Sequence, residues 1–161
     1  MRKLLEAITL LALGVQISFT ILALFGSNRL PERIPIHFDA AGNPNGWGSP
    51  AMLLILPAVA VTIYLLFTVV SQFPSAFNYP VRVTVANRLR LQSLALNMIE
   101  WIKAEVVVLF AWMQWATIQL ARHPQHGLPA SMMPVALVAV FATVTSHIVA
   151  MFKIAKEPAG L

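Results

Sequence analysis

The chain has 161 residues, 58% of them hydrophobic and only 11% charged. A soluble domain carries about 25% charged residues, so this composition excludes a globular core with a polar skin and points to a membrane protein. There is no cysteine, which excludes disulfides, iron–sulfur clusters and thiol catalysis, and the net charge of +5 comes from eleven basic residues scattered beside apolar runs. That distribution is the footprint of membrane topology; a nucleic-acid surface needs its basic residues clustered on one folded face.

A helix needs about 20 apolar residues to cross the hydrocarbon core. Four stretches satisfy this, at about 4–25, 51–73, 101–120 and 132–152. The fold expected is therefore an all-α membrane protein, a single integral membrane domain over 1–161 with four transmembrane helices and a structured extracytoplasmic loop, 26–50, between the first two. The first run is too long for the usual signal-peptide core and no small-residue cleavage pattern follows it, so it reads as an uncleaved helix. Basic residues orient the spans. Arg2, Lys3, Arg82, Arg88, Arg90, Lys153 and Lys156 fall on one side, against Arg29, Arg33 and Arg122 on the other. The richer side is the cytoplasmic one. The expected location is a bacterial plasma (inner) membrane, multi-pass, with both termini cytoplasmic. Trp47, Trp112 and Trp115 would form an outer aromatic belt and Trp101 an inner anchor.

Between the second and third spans lies a cytoplasmic amphipathic segment, 79–100. Tyr79-Pro80 forces an extended entry, and Thr84 can cap a helix. Leu89, Leu91, Leu94, Leu96 and Ile99 give that helix an apolar face, and it is expected to run on into the third span. Near that junction stand Glu100, Lys103 and Glu105. Glu100 and Lys103 at i,i+3 are spaced to pair. Glu105, about one turn inside the span, is expected to find Lys103 or His147, since ionisable residues in a span are costly and default to functional candidates. Gln114 and Gln119 read as interhelical hydrogen-bonding groups.

The loop Leu30–Pro50, "LPERIPIHFDAAGNPNGWGSP", is the most specified part of the chain. Pro31 and Pro35 disfavour helix for the residues before them, so "IPIHF" is extended. Alternation along an extended chain places Ile34, Ile36 and Phe38 on one face and Pro35, His37 and Asp39 on the other. His37 and Asp39 are then placed for a mutual hydrogen bond or a shared ligand. Gly42, Asn43-Pro44, Asn45-Gly46 and Gly48 supply turns, and Ser49-Pro50 reads as a helix cap followed by proline at the first helical position.

This stretch, following a first transmembrane helix, resembles the signature of a bacterial domain of unknown function, number 1648. That domain also forms the N-terminal part of SdpI-type immunity proteins, which protect Gram-positive cells from a secreted peptide toxin. "FNYPVRVTVANRLRLQ" resembles the second shared block of the single-domain members, although Pro50 stands where a lysine is common and no acidic residue stands near Ala86. The resemblance covers Leu30 to about Leu120. It implies a membrane module that binds, signals or confers immunity through its outer loop.

The loop residues expected to organise that module or contact a partner are Pro35, His37, Phe38, Asp39, Gly42 and Trp47. Catalysis finds little support, because no phosphate loop, Ser-His-Asp set or HExxH helix is present. No cofactor is implied. A metal-dependent membrane enzyme using His37 and Asp39, with His123 and His126 completing a ligand set, is the enzymatic alternative. An accessory subunit of a membrane complex is the other. The partners expected are the lipid bilayer, a peptide or protein at the outer loop, and further copies or other chains in an oligomer, but no nucleic acid.

Overall fold

A computed structural model describes residues 1–27, 29–123 and 127–157. Helix α1 spans Arg2–Phe25, α2 Ile55–Val70, α3 Arg88–Arg122 and α4 Met132–Lys156. A 3-10 turn, Pro50–Leu54, leads into α2, so that Pro50–Val70 is one continuous apolar rod. Three helices are long and apolar enough to cross a membrane: α1, the Pro50–Val70 rod and α4. The third run expected from the sequence lies inside α3, which is not among those three. Glu100, Lys103, Glu105, Gln114 and Gln119 stand among its apolar residues, and much of its length is buried against the other helices.

Helix α3 is the post around which the others stand. It buries residues along its whole length, from Leu91 through Val107 to Ala121, and packs against α1, α2 and α4. Leu13, Ala60 and Val107 join α1, α2 and α3 near mid-height. Leu91, Ala95 and Met151 join the start of α3 to the end of α4. The outward surfaces of the other helices are apolar: Leu11, Leu66, Val138 and Phe141 all stand exposed. Helices hydrophobic on every side suit a surrounding of lipid or protein.

The helix starts follow local chemistry. Pro57 and Pro134 sit in the first turns of α2 and α4, where a missing N–H costs nothing. Ser49 occupies the N-cap before Pro50, but its carbonyl, not its hydroxyl, accepts the Met52 N–H. Ahead of α3, Thr84 and Asn87 exchange side-chain and backbone hydrogen bonds, at 2.8 and 3.3 Å. The Thr84 carbonyl then accepts the Arg88 N–H. This reciprocal cap starts one unbroken helix from the basic segment to the far end of α3. The helical part of the 79–100 segment accordingly begins only at Arg88, after a turn over residues 85–87 that the Thr84–Asn87 cap holds.

The chain is not all-α. Between α1 and α2, strand β1 (Ile34–Phe38) pairs antiparallel with β2 (Pro44–Gly48). Asn45-Gly46, which reads as a turn, lies inside β2. The turn is instead made by Asp39 to Asn43, with Gly42 at φ 84°. The register slips twice, between Pro35 and His37 and between His37 and Phe38. Such bulges belong where prolines cannot donate to a ladder, and here Pro35 and Pro44 both lie in the paired strands. The slips overturn the simple alternation: Ile34 and Pro35 are both buried, whereas Ile36 is 43% exposed.

Two residues root the hairpin. Ile34 is fully buried among Ala23, Leu53, Ile118 and Ala121, where α1, the 3-10 turn and α3 meet. Phe38 packs against the cluster of Ala116, Leu120 and Leu128. Truncating a fully buried isoleucine removes transfer free energy and leaves a cavity. Ile34→Ala is therefore expected to lower stability in detergent by about 3 kcal/mol, while Ile36→Ala costs under about 0.5 kcal/mol. Equal losses at the two positions, measured by denaturant titration, would contradict this rooting of the hairpin.

Candidate functional site

The hairpin side chains work in two separate pairs. The Asp39 carboxylate caps the turn: Oδ1 accepts the Ala41 N–H at 2.9 Å and the Asn43 N–H at 2.8 Å. The Asp39 backbone joins in, its N–H donating to Asn43 and its carbonyl accepting from Gly42, both at 2.9 Å. These bonds, led by the one from the Asn43 backbone, hold the Asp39 carboxyl below its ordinary value. His37 Nδ1 instead meets Asn45 Oδ1 across the strands at 2.5 Å. The amide oxygen can only accept, so Nδ1 carries the proton in this contact. His37 and Asp39 thus have different partners, and the mutual bond expected from their spacing is replaced by a turn cap and a cross-strand bond.

Gly42 carries the clip that fixes the hairpin tip. Its carbonyl accepts the Leu128 N–H at 2.8 Å, tying the tip to the α3–α4 connection. The approach is so close that a Cβ at Gly42 would fall 2.0 Å from the Leu128 carbonyl oxygen. With a positive φ as well, the position admits only glycine comfortably. Beneath the clip lies a cavity of about 350 Å³. Ile36, His37 and Phe38 form one wall, and Met113, Met132 and Met133 supply much of the other. Methionine side chains are flexible and polarizable, so such a wall adapts to differing apolar shapes. Ile36 and Trp47 stand at the hairpin surface, and Arg33 reaches the Trp47 carbonyl at 3.3 Å.

The second polar centre lies at the opposite end of α1. Lys103 is 1% exposed, the largest fully buried side chain among the described residues. Its Nζ donates to Glu6 Oε2 at 2.6 Å and lies 2.9 Å from Glu100 Oε2. The Glu100 contact has ion-pair distance without hydrogen-bond alignment. Tyr64 donates its hydroxyl to Glu6 Oε1 at 2.6 Å and places its ring 5.0 Å from the ammonium. One cation thereby gathers α1 through Glu6, α2 through Tyr64 and its own helix through Glu100. The Glu100–Lys103 pairing matches the i,i+3 spacing. Glu6 is an ionisable residue within the 4–25 run and so carried the same signal as Glu105, but nothing in the sequence pointed to its partner, and Tyr64 carried no signal.

Glu105 does not pair with Lys103 or His147. Thr143 donates to its Oε1 at 2.5 Å, linking α3 to α4, while His147 Nδ1 donates to the Thr143 carbonyl at 2.7 Å. Higher on α3, Gln114 Nε2 donates to Thr20 Oγ1 at 2.9 Å and to the Leu53 carbonyl at 3.0 Å. One turn of α1 below Thr20, Gln16 is fully buried with no hydrogen-bond partner for its amide among the described residues.

Of the four proposed metal ligands, His126 lies outside the described residues. His123 lines a separate hollow with Arg29, Leu30 and Pro31, on residues distinct from those around His37 and Asp39. Among the described residues no three histidine, aspartate or glutamate side chains converge on a point where a metal could sit.

A family model described as a domain of unknown function, DUF1648, matches residues 16–61. This is the domain that the Leu30–Pro50 motif resembles. The match runs from mid-α1 through the hairpin into α2, and so takes in Gln16, Thr20 and every hairpin residue discussed above. An uncharacterised protein of the archaeon Archaeoglobus fulgidus is 43% identical over 61 residues, which are 33% of this chain and 33% of that protein. The chain spans about a third of the length of this curated relative. No solved structure matches.

Two outcomes follow for the hairpin. Gly42→Ala combines positive φ with a collision at Leu128, and is expected to cost about 2 kcal/mol and to expose the 39–43 turn to protease. Unchanged proteolysis would remove the clip from the account. Asp39 gives a pH dependence. A carboxyl depressed in the folded state contributes stability above its unfolded value and loses it as the pH falls through the folded one. Protease resistance of the turn should hold at neutral pH and fall on acidification below the ordinary aspartate value of 3.8. Asp39→Asn should flatten that fall, and an identical acid profile in the variant would contradict the cap.

Proposed function

We propose that this protein is a four-span integral membrane protein of the plasma membrane, both termini cytoplasmic, which recognises a peptide or protein at its outer face through the β1–β2 hairpin. The observation that carries this reading is the hairpin itself. It is rooted at Ile34 and Phe38, clipped at Gly42 and capped by Asp39, yet it leaves Ile36, in the wall of the methionine-lined cavity, 43% exposed and Trp47, on the paired strand, 47% exposed. A surface held stiff before binding loses little entropy on binding, and tryptophan is among the usual centres of recognition energy.

The four-span reading adds α3 to the three apolar rods. Its polar groups can be accommodated in lipid because they turn inward: Lys103 and Gln114 are buried against α1 and Thr143 covers one oxygen of Glu105. Polar residues facing the bundle interior are the tolerated class in a membrane span. The binding, immunity or signalling character of the module rests on the domain resemblance and the exposed hairpin together. An oligomer is compatible with the uncovered apolar side of α4.

The absence of native cysteine permits a clean topology test. Ala40→Cys in the hairpin turn should react with a membrane-impermeant maleimide in intact cells, whereas Leu89→Cys, exposed at the start of α3, should react only after permeabilisation. The reverse pattern would overturn the orientation. For recognition, a photo-crosslinking side chain at Ala40 should capture a discrete partner in the native host. Ile36→Ser with Trp47→Ser should reduce that adduct at least tenfold while the melting temperature in detergent is kept. An adduct of unchanged yield would remove these residues from the recognition surface.

A further inference from the structure

Helix α4 meets the rest of the bundle chiefly through α3, and between the two runs a lateral groove of about 670 Å³. Val108, Phe110 and Trp112 line it from α3, and Met133, Leu137 and Val140 from α4. At one end it continues, through Pro129, Met132 and Met133, into the cavity beneath the hairpin. At the other end stands Glu105. The α4 wall from Ser131 to Val140 is roughly 14 Å long at 1.5 Å per residue. The volume lies within the range of about 300–1,000 Å³ typical of small-molecule sites.

The carboxylate is what distinguishes this groove from a generic lipid crease. Glu105 Oε1 is engaged by Thr143, but Oε2 is buried with no hydrogen-bond partner among the described residues. Among the described residues no cation is available to it from the neighbouring elements. Lys103 on α3 is committed to Glu6 and Glu100, and His147 on α4 gives its Nδ1 proton to the Thr143 carbonyl. An ionised carboxylate left unpaired in hydrocarbon costs several kcal/mol. That oxygen has no accessible surface as Glu105 stands, so the carboxylate must turn toward the groove it lines; a ligand bringing both a positive charge and an N–H donor would then satisfy the oxygen and strengthen the contact by its charge.

We propose that the α3–α4 groove binds a membrane-borne amphiphile with a primary-amine head. Its ammonium pairs with Glu105, and its alkyl chain lies along Phe110, Met133 and Leu137 toward the hairpin. A primary amine fits where a quaternary one does not, because only the former offers N–H donors. The site is reached sideways from the lipid and does not depend on what the hairpin recognises.

The test uses the full chain in lipid nanodiscs with dodecylamine as the probe, and with 1-dodecanol and dodecyltrimethylammonium as matched controls. Dodecylamine should raise the melting temperature saturably by several degrees, and each control by less than a third as much. Glu105→Gln should fold and lose the amine's advantage. Leu137→Trp fills the groove without touching Glu105 and should weaken the apparent affinity about tenfold; it decides the matter if the Glu105 variant fails to fold. Equal shifts from all three probes would mean simple partition into the bilayer and would overturn the proposal. So would an amine shift that survives both substitutions. Efficient cross-linking of Ala136→Cys to a second copy would assign the groove to self-association and would equally overturn it.

Discussion

A single ammonium buried among apolar helices constrains everything else in this protein. Lys103 has no access to water, and an unpaired charge in such a place is among the most costly features a structure can hold. Its carboxylate partners must therefore come to it. Glu100 is already one turn away on the same helix, but the hydrogen-bonded partner is Glu6, from the start of the chain, itself held by Tyr64. Those contacts bring the first turns of α1 and the middle of α2 against α3. Once α1 is anchored there, its other end is steered by the Thr20–Gln114 bond, and the hairpin emerges beside the C-terminal part of α3, where Ile34 and Phe38 find their clusters.

Charge and packing thus divide the labour along α3. Near Lys103 specificity is ionic, with two carboxylates and one ammonium. Near Gln114 it comes from neutral hydrogen bonds, including one to the Leu53 carbonyl at the entrance to α2. At the hairpin it comes from buried apolar side chains and from backbone groups that dock at Gly42 and Leu128. Each device suits its surroundings. A backbone clip needs no side chain to be ordered, whereas a polar side chain within an apolar bundle has few wrong partners to choose from. Helix α4 stands apart, joined to α3 by Thr143 at Glu105, by the Met151 cluster and by the Arg90–Glu157 pair, which is exposed and so contributes little.

The legibility of these features in the sequence follows the range of the interactions. Apolar runs and prolines act locally, so the helix positions, the Ser49-Pro50 entry to the second apolar rod and the extended "IPIHF" were readable. The Glu100–Lys103 pair was readable because i,i+3 neighbours share a helix face. Glu6 was not, since 97 residues separate it from Lys103 and no spacing rule spans that distance. Strand β2 was hidden because Asn45-Gly46 has the composition of a hairpin turn, while the turn was won by Asp39, whose carboxylate collects two backbone N–H groups. The His37–Asp39 bond expected from alternation failed for a related reason: two prolines deprive the ladder of donors, the register slips, and alternation ends.

The most direct test of the Lys103 clasp is a double-mutant cycle between Lys103→Met and Glu6→Gln, read as unfolding free energy in detergent. The clasp predicts a coupling of about 2 kcal/mol, because once the lysine is gone the Glu6 carboxylate has lost its counter-ion and its own substitution costs little. Losses that add to within about 0.5 kcal/mol would show that the two groups act independently, and would contradict the claim that this ammonium gathers the helices.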